Sequence, residues 1–107
     1  HELNSDAARL RGELDRAIRK GDIDRIQALV SRGAPLEAFF GSGGGGRTCV
    51  DLACASWQPG SALALLRLAG DRGIAHSLAC ESHSALFWAV THGHLEVLQE
   101  LLRLGAD

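Results

Sequence analysis

Apolar residues recur along the chain at a spacing of 36 residues. Six positions repeat twice without a gap: Leu14, Val50 and Leu86; Ala17, Ala53 and Ala89; Ile18, Cys54 and Val90; Ile26, Ala62 and Leu98; Leu29, Leu65 and Leu101; and Val30, Leu66 and Leu102. A fixed period of this length is typical of stacked repeats, in which each unit covers the apolar face of its neighbour. The pattern therefore predicts three stacked units.

Each unit contains two apolar stripes with helical spacing, and a turn separates them. In the third unit Gly93 lies between the stripes and Gly105 follows the second one. Gly21 and Gly33 hold the same places in the first unit, whereas Trp57 replaces the turn glycine in the second. Glycine commonly ends helices. Each unit is therefore predicted to fold as helix, tight turn, helix and loop.

The first helix is predicted to extend upstream of the first repeat. Leu3, Ala7, Leu10 and Leu14 keep helical spacing, so residues 1–11 continue the apolar stripe. The polar side chains of this segment then point outward. Such an extension would shield the open face of the first unit, as a terminal repeat must.

The third unit also resembles a known family. Residues 84–107 read SALFWAVTHGHLEVLQELLRLGAD, which is similar to the ankyrin repeat pattern T-P-L-H-x-A-A-x-x-G-H-x-E-V-V-x-x-L-L-x-x-G-A-D. Residues 13–38 match this pattern more loosely, and residues 47–71 diverge most. The resemblance implies an all-α fold, an ankyrin-type helical solenoid of three stacked helix-turn-helix repeats with extended finger loops. The chain would be a single domain, 1–107, with repeats at about 3–40, 46–76 and 82–107.

The chain departs from the family pattern in three places. The family period is about 33 residues, so the fingers near residues 36–47 and 72–83 are expected to be longer. Asp15, Asp51 and Phe87 stand where the pattern has histidine, which alters the usual bonding between turns. Pro59 follows the divergent turn at Trp57 and is expected to open the second helix of its unit, because proline suits the first helical position.

The resemblance implies a protein or peptide partner, bound on the concave side by the finger tips and the exposed ends of the first helices. Carried over by position, the candidate binding residues are Arg11, Arg19 and Lys20 in the first repeat, Arg47, Ser56 and Trp57 in the second, and Glu81, His83, Thr91 and His92 in the third. The first two groups are basic, which favours an acidic partner, although a solvated surface explains them equally well. The alternative function is a structural spacer within a larger multidomain protein.

The two tryptophans carry different expectations. Trp88 takes a large-residue position of a first helix, so we expect it to pack in the core. Trp57 lies in a turn, where an indole is hard to bury, and we expect it to be half exposed. It is either an interface anchor or a local lid over the neighbouring turn.

The charge balance argues against nucleic acid and anionic membranes as partners. The chain has 11 Lys and Arg against 13 Asp and Glu, whereas binding to phosphates needs a basic surface. No stretch approaches the roughly 20 apolar residues that span a bilayer. Cys49 and Cys54 are poorly spaced for a disulfide on one helix. We interpret all three cysteines as reduced, which favours an intracellular location, cytoplasmic or nuclear.

An enzyme fragment that uses a nucleotide or a metal is the less favoured alternative. Residues 41–48, GSGGGGRT, have the spacing of a phosphate-binding loop, but arginine replaces the required lysine and no parallel sheet is predicted. Histidines and one cysteine are candidate metal ligands, but their spacing is not a recognised zinc pattern; they are His76, Cys80, His83, His92 and His94. No catalytic residue, metal or cofactor is therefore predicted.

The last repeat lacks the polar outer surface of a terminal cap. Its second helix is rich in leucine, and an uncovered repeat exposes an apolar face. We expect the segment to belong to a longer array or a larger protein. In isolation it should be a monomer or self-associate weakly through its C-terminal face.

Overall fold

Seven α-helices account for most of the chain in a computed structural model, which describes residues 2–38, 40 and 47–106, with side chains from Asp6 onward. The helices are α1 (Glu2–Lys20), α2 (Ile23–Ser31), α3 (Cys49–Ala55), α4 (Pro59–Asp71), α5 (Ala75–Glu81), α6 (His83–His92) and α7 (Leu95–Arg103). The described residues contain no strand, only an isolated antiparallel bridge between Phe40 and Arg47. The predicted all-α fold is confirmed.

Six of the helices form three pairs, α1 with α2, α3 with α4, and α6 with α7, which pack side by side in two layers. In the first layer α3 lies between α1 and α6, and in the second α4 lies between α2 and α7. The periodic leucines fill the space between the layers; Leu29, Leu65 and Leu101 are all fully buried. α1 extends upstream to Glu2, as the spacing of its apolar residues predicts.

Local sequence signals explain where the helices begin. Asp22 caps α2 by accepting a hydrogen bond from the N–H of Arg25 at 3.2 Å. Thr48 and Asp51 form a capping box at the start of α3, in which each side chain accepts from the other residue's backbone N–H at 3.1 Å. Pro59 opens α4, as predicted.

The prediction of an irregular finger at residues 72–83 is wrong, because α5 occupies most of it. Gly73 has a positive φ of 74° and ends the preceding turn. Ala75, Leu78 and Ala79 then form a short apolar stripe, which is buried against α4. A helix here satisfies the backbone hydrogen bonds that a loop beside the core would leave open. The glycine run of the other finger, residues 41–46, lies outside the described residues, and so do the predictions made for it.

Candidate interaction site

The turns that join the paired helices repeat one backbone geometry every 36 residues. Gly21, Trp57 and Gly93 have φ angles of 74°, 60° and 70°. In each turn the N–H of this residue donates to the carbonyl three residues earlier, and the following N–H donates to the carbonyl five residues earlier, at 2.9 to 3.3 Å. The middle turn therefore keeps the geometry of a glycine turn with a tryptophan in the glycine position.

Trp57 is the one non-glycine residue with a positive φ in the part of the chain that the structure describes. The left-handed conformation costs an ordinary residue about 1–2 kcal/mol because its Cβ crowds the backbone. The side chain is also 64 % exposed, so burial returns little of that cost. Backbone strain at an exposed residue is a reason to look for a function there.

Aromatic rings from two helix pairs surround this turn. Trp57 stacks on His92 with ring centroids 3.5 Å apart and an interplanar angle of 17°. His92 lies 5.0 Å from the ring of Trp88, and Trp88 meets Phe87 edge to face at 5.2 Å. These four residues and His94 form a continuous group of five rings, which we call the aromatic cluster. Trp88 is only half buried, packed against the edge of the core.

The tryptophan changes the contact between neighbouring turns. The side chain of Gln58, in the second turn, reaches back to the first turn and donates to the carbonyl of Arg19 at 3.2 Å. It passes directly over Gly21, where an added Cβ would collide with the Gln58 amide. His94 holds the same position one repeat later, but the indole of Trp57 occupies the space and meets the imidazole edge to face at 6.1 Å.

Each of the two histidines of the aromatic cluster has a ring nitrogen without a hydrogen-bond partner in the described structure. Within the described residues the buried Nδ1 atoms of His92 and His94 have no hydrogen-bond partner. Desolvation lowers the pKa of His94 from its ordinary 6.5, and the charge of His92 lowers it further. Both causes disfavour a charged His94, so the imidazole is neutral at physiological pH.

A buried polar network fixes the other end of the first layer. The Thr48 and Ser82 hydroxyls are 2.7 Å apart, and the Asp51 carboxylate accepts a 2.6 Å hydrogen bond from the N–H of Ala85 in α6. Asp51, at the position where the ankyrin pattern has histidine, thus bonds between neighbouring repeats. The network brings the segment before α3 next to the start of α6.

The predicted binding residues fall mainly into two groups at opposite ends of this layer. The turn group surrounds the inter-helix turns and contains Arg19, Lys20, Ser56, Trp57, Thr91 and His92. The finger group lies beside the Thr48–Ser82 contact and contains Arg47, Glu81 and His83, all exposed. Arg11 is exposed farther back on α1. The structure joins Trp57 with His92 directly, whereas Arg19 pairs with Asp15 at 2.5 Å.

Sequence reasoning did not place Phe87 or His94 in the site. The sequence indicates Phe87 only as a departure from the family histidine, and His94 only as a weak candidate metal ligand. Two signals were available: the absence of charge around Phe87, and the correspondence of His94 with Gln58 at 36 residues. Neither signal reveals the ring contacts, which depend on the conformation of Trp57.

Two of the three cysteines, Cys49 and Cys54, are not suited to nucleophilic chemistry. Cys49 and Cys54 are free and buried, and desolvation raises the pKa of each thiol to about 12. Both remain protonated, whereas a nucleophilic cysteine acts as a thiolate. Cys80 approaches the Nε2 atom of His76 at 3.8 Å, and the Nδ1 atom of His76 contacts the carbonyl of Leu104 at 2.6 Å. The first contact lies within α5, and the second ties α5 to the end of α7.

Within the described residues no three His, Cys, Asp or Glu side chains converge as metal ligands would. None of the described helices is long and apolar enough to cross a membrane.

Three helix pairs joined by one repeated turn define the chain as an α-helical repeat protein. The family model of the ankyrin repeat matches residues 81–107, which contain α6 and α7, and this match confirms the predicted ankyrin resemblance. A search of curated proteins gave no significant match. Ankyrin repeats are in general protein–protein interaction modules, and the matched repeat implies this broad functional class.

Proposed function

We propose that the chain binds a peptide segment of a partner protein along the exposed edge of its first helix layer, with Trp57 as the anchor. The observation that carries this proposal is the conformation of Trp57, a left-handed and largely exposed tryptophan where the neighbouring repeats have glycine. Exposed tryptophans are common binding hot spots because they offer a large, rigid contact surface. The stacked imidazole of His92 holds the indole in place before a ligand arrives.

The finger group supplies a second contact for an acidic side chain. Arg47 is exposed, and among the described residues it has no ion pair. α3 separates it from Trp57, and at a helical rise of 1.5 Å per residue the ten positions between them place the two backbones about 15 Å apart. An extended peptide covers that distance in about five residues. The ligand is thus a short extended segment with an apolar or aromatic residue about five positions from a carboxylate.

The free thiols of Cys49, Cys54 and Cys80 support an intracellular setting for this interaction. A structural spacer remains the alternative function, and it would need no such exposed anchor.

Selection from a random peptide library tests the proposal without a known partner. The immobilised chain is used as bait, and enriched peptides are measured by fluorescence anisotropy against the wild type, Trp57→Gly, Arg47→Ala and Arg32→Ala. Arg32 is an exposed arginine after α2 and serves as the charge-matched control. We expect Trp57→Gly to weaken binding about 30-fold or more, as loss of a hot spot does.

The arginine variants test the acidic part of the ligand. Arg47→Ala should weaken binding about 5-fold, in line with a rim charge contact, and Arg32→Ala should leave it unchanged. Enriched peptides that bind Trp57→Gly as well as the wild type would refute the proposed site. No enrichment at any bait density would favour the spacer.

A further inference from the structure

Cys80 differs from the other two cysteines in its surroundings. Cys49 and Cys54 are buried in the core, where desolvation raises the pKa of each thiol to about 12. Cys80 is half-buried and lies in α5, four residues after the exposed His76. Residues four positions apart share one face of a helix. Of the three cysteines, Cys80 is the one that combines partial exposure with a basic neighbour.

The contacts of His76 determine which of its ring nitrogens can accept a proton. Its Nδ1 atom lies 2.6 Å from the carbonyl oxygen of Leu104, and a carbonyl oxygen only accepts hydrogen bonds. In the neutral ring the proton is therefore on Nδ1 and the free lone pair is on Nε2. Nε2 is the atom that faces the Sγ atom of Cys80, at 3.8 Å. The ring is thus oriented as a base toward the thiol.

The end of α7 holds this pair in place. Gly105 packs so closely against the imidazole that an added Cβ would lie 2.9 Å from the Cε1 atom of His76. The Gly105 carbonyl also accepts a hydrogen bond from the Cys80 thiol at 3.7 Å. Leu104 and Gly105 therefore supply the group that orients the base and a second acceptor beside the sulfur.

These contacts have the arrangement that activates a nucleophilic thiol, which is a cysteine, a base that faces it, and a third group that orients the base. A cysteine without such a partner is only a few per cent thiolate at pH 7, and the thiolate is the species that reacts. Acyl transfer does not suit this site, because the carbonyls of Leu104 and Gly105 would repel the oxyanion that forms in that reaction. Thiol–disulfide exchange forms no oxyanion.

We propose that Cys80 is a site of reversible thiol–disulfide exchange with low-molecular-weight disulfides, and that His76 accepts the proton of its thiol. The Sγ atom attacks one sulfur of the disulfide while Nε2 takes the thiol proton. The new S–S bond forms as the original one breaks, and the departing thiolate receives the proton. Cys80 is oxidised and the disulfide is reduced by the same two electrons. The products are a mixed disulfide at Cys80 and one free thiol. This inference does not depend on the proposed peptide site.

Reaction of the folded chain with oxidised glutathione tests the proposal. Mass spectrometry of proteolytic peptides, after the remaining thiols are alkylated, locates the adduct and gives its rate of formation. We expect the adduct at Cys80, whereas Cys49 and Cys54 should react only after the chain is unfolded in urea. Dithiothreitol should restore the free thiol.

His76→Asn tests the role of the imidazole. The asparagine amide N–H can replace Nδ1 as the donor to the Leu104 carbonyl, but it provides no basic nitrogen. The reaction should be slower by about 10-fold at pH 7, because the thiol then reacts from its small ionised fraction. His83→Asn is the matched control, since His83 is exposed three residues after Cys80 at the start of α6, and this variant should react like the wild type. His76→Gln replaces the first variant if circular dichroism shows a loss of helix.

A pH profile separates loss of the base from a change in access to the sulfur. Between about pH 6.5 and 8 the rate of His76→Asn should rise about tenfold per pH unit, as ionisation of an unassisted thiol does, and the wild-type rate should rise less steeply. Parallel profiles, whatever the absolute rates, would show that His76 does not take the proton and that its contacts are purely structural. Modification of Cys49 or Cys54 as fast as that of Cys80, or no adduct at Cys80, would also overturn the inference.

Discussion

Substitution of Trp57 by glycine separates the cost of its backbone conformation from the contribution of its side chain. Glycine adopts a φ of 60° without strain, so the change recovers about 1–2 kcal/mol. It also removes the stacked contact with His92, which contributes about 0.5–1.5 kcal/mol. Because the indole is largely exposed, little buried area is lost. The two effects nearly cancel, and we expect a free energy of unfolding within about 1 kcal/mol of the wild type.

Urea unfolding followed by circular dichroism measures this difference. Trp57→Ala is the informative companion, since it loses the stacking but keeps the strained φ, and it should be about 1 kcal/mol less stable than Trp57→Gly. Gly93→Ala calibrates the strain. It probes the equivalent turn, where an added Cβ meets no atom within 4 Å, so its expected loss of about 1–2 kcal/mol reports the backbone alone.

A loss of more than about 2 kcal/mol in Trp57→Gly would refute the reasoning, because strain relief would then be outweighed by structural contacts. Trp57 would be a lid that holds the neighbouring turns, and not a side chain kept exposed for a ligand. Equal stability of the glycine and alanine variants would show that the turn accommodates a Cβ without strain.

Three further predictions concern the core, the polar network and the aromatic cluster. Leu65→Ala and Leu101→Ala should each lower the free energy of unfolding by about 2–5 kcal/mol, since both side chains are fully buried; a near-zero change by urea unfolding would mean that the repeat register is wrong. Asp51→Ala should cost about 2–4 kcal/mol because it leaves the N–H of Ala85 without its acceptor, and Asp51→Asn should recover part of this in the same assay. His94 has a pKa below that of the unfolded chain, so its contribution to stability is present above about pH 6.5 and is lost as the pH falls through its folded pKa. Melting temperatures between pH 7.5 and 5 should therefore fall more steeply for the wild type than for His94→Gln, and parallel curves would contradict this assignment.

The periodic part of the fold could be predicted because each repeat position meets the same environment. The 36-residue spacing locates all three helix pairs and their turns, since an apolar residue at a given position faces the same kind of neighbour in each unit. The exposed Val90 and Leu102 follow from the same logic, because they stand at interface positions without a described neighbour.

The unpredicted features depend on contacts that do not repeat. α5 lies in a connection between repeats, and its stripe of Ala75, Leu78 and Ala79 is too short to stand out from a loop. The aromatic cluster depends on Trp57 keeping a glycine conformation, which composition and spacing do not reveal. Likewise, Asp51 could be recognised as a departure from the family histidine, but its hydrogen bond to the next repeat required the packed helices.

Amide and indole chemical-shift mapping with an enriched peptide tests the central claim most directly. Titration of the 15N-labelled chain should shift the indole N–H signal of Trp57 and the amides of Thr91 and His92, together with the amide of Arg47. The signals of Val90 and Leu102, which belong to neither the turn group nor the finger group, should remain unperturbed. Shifts confined to α4 and α7, or to Val90 and Leu102, with no change at the Trp57 indole, would contradict recognition through the edge of the first helix layer.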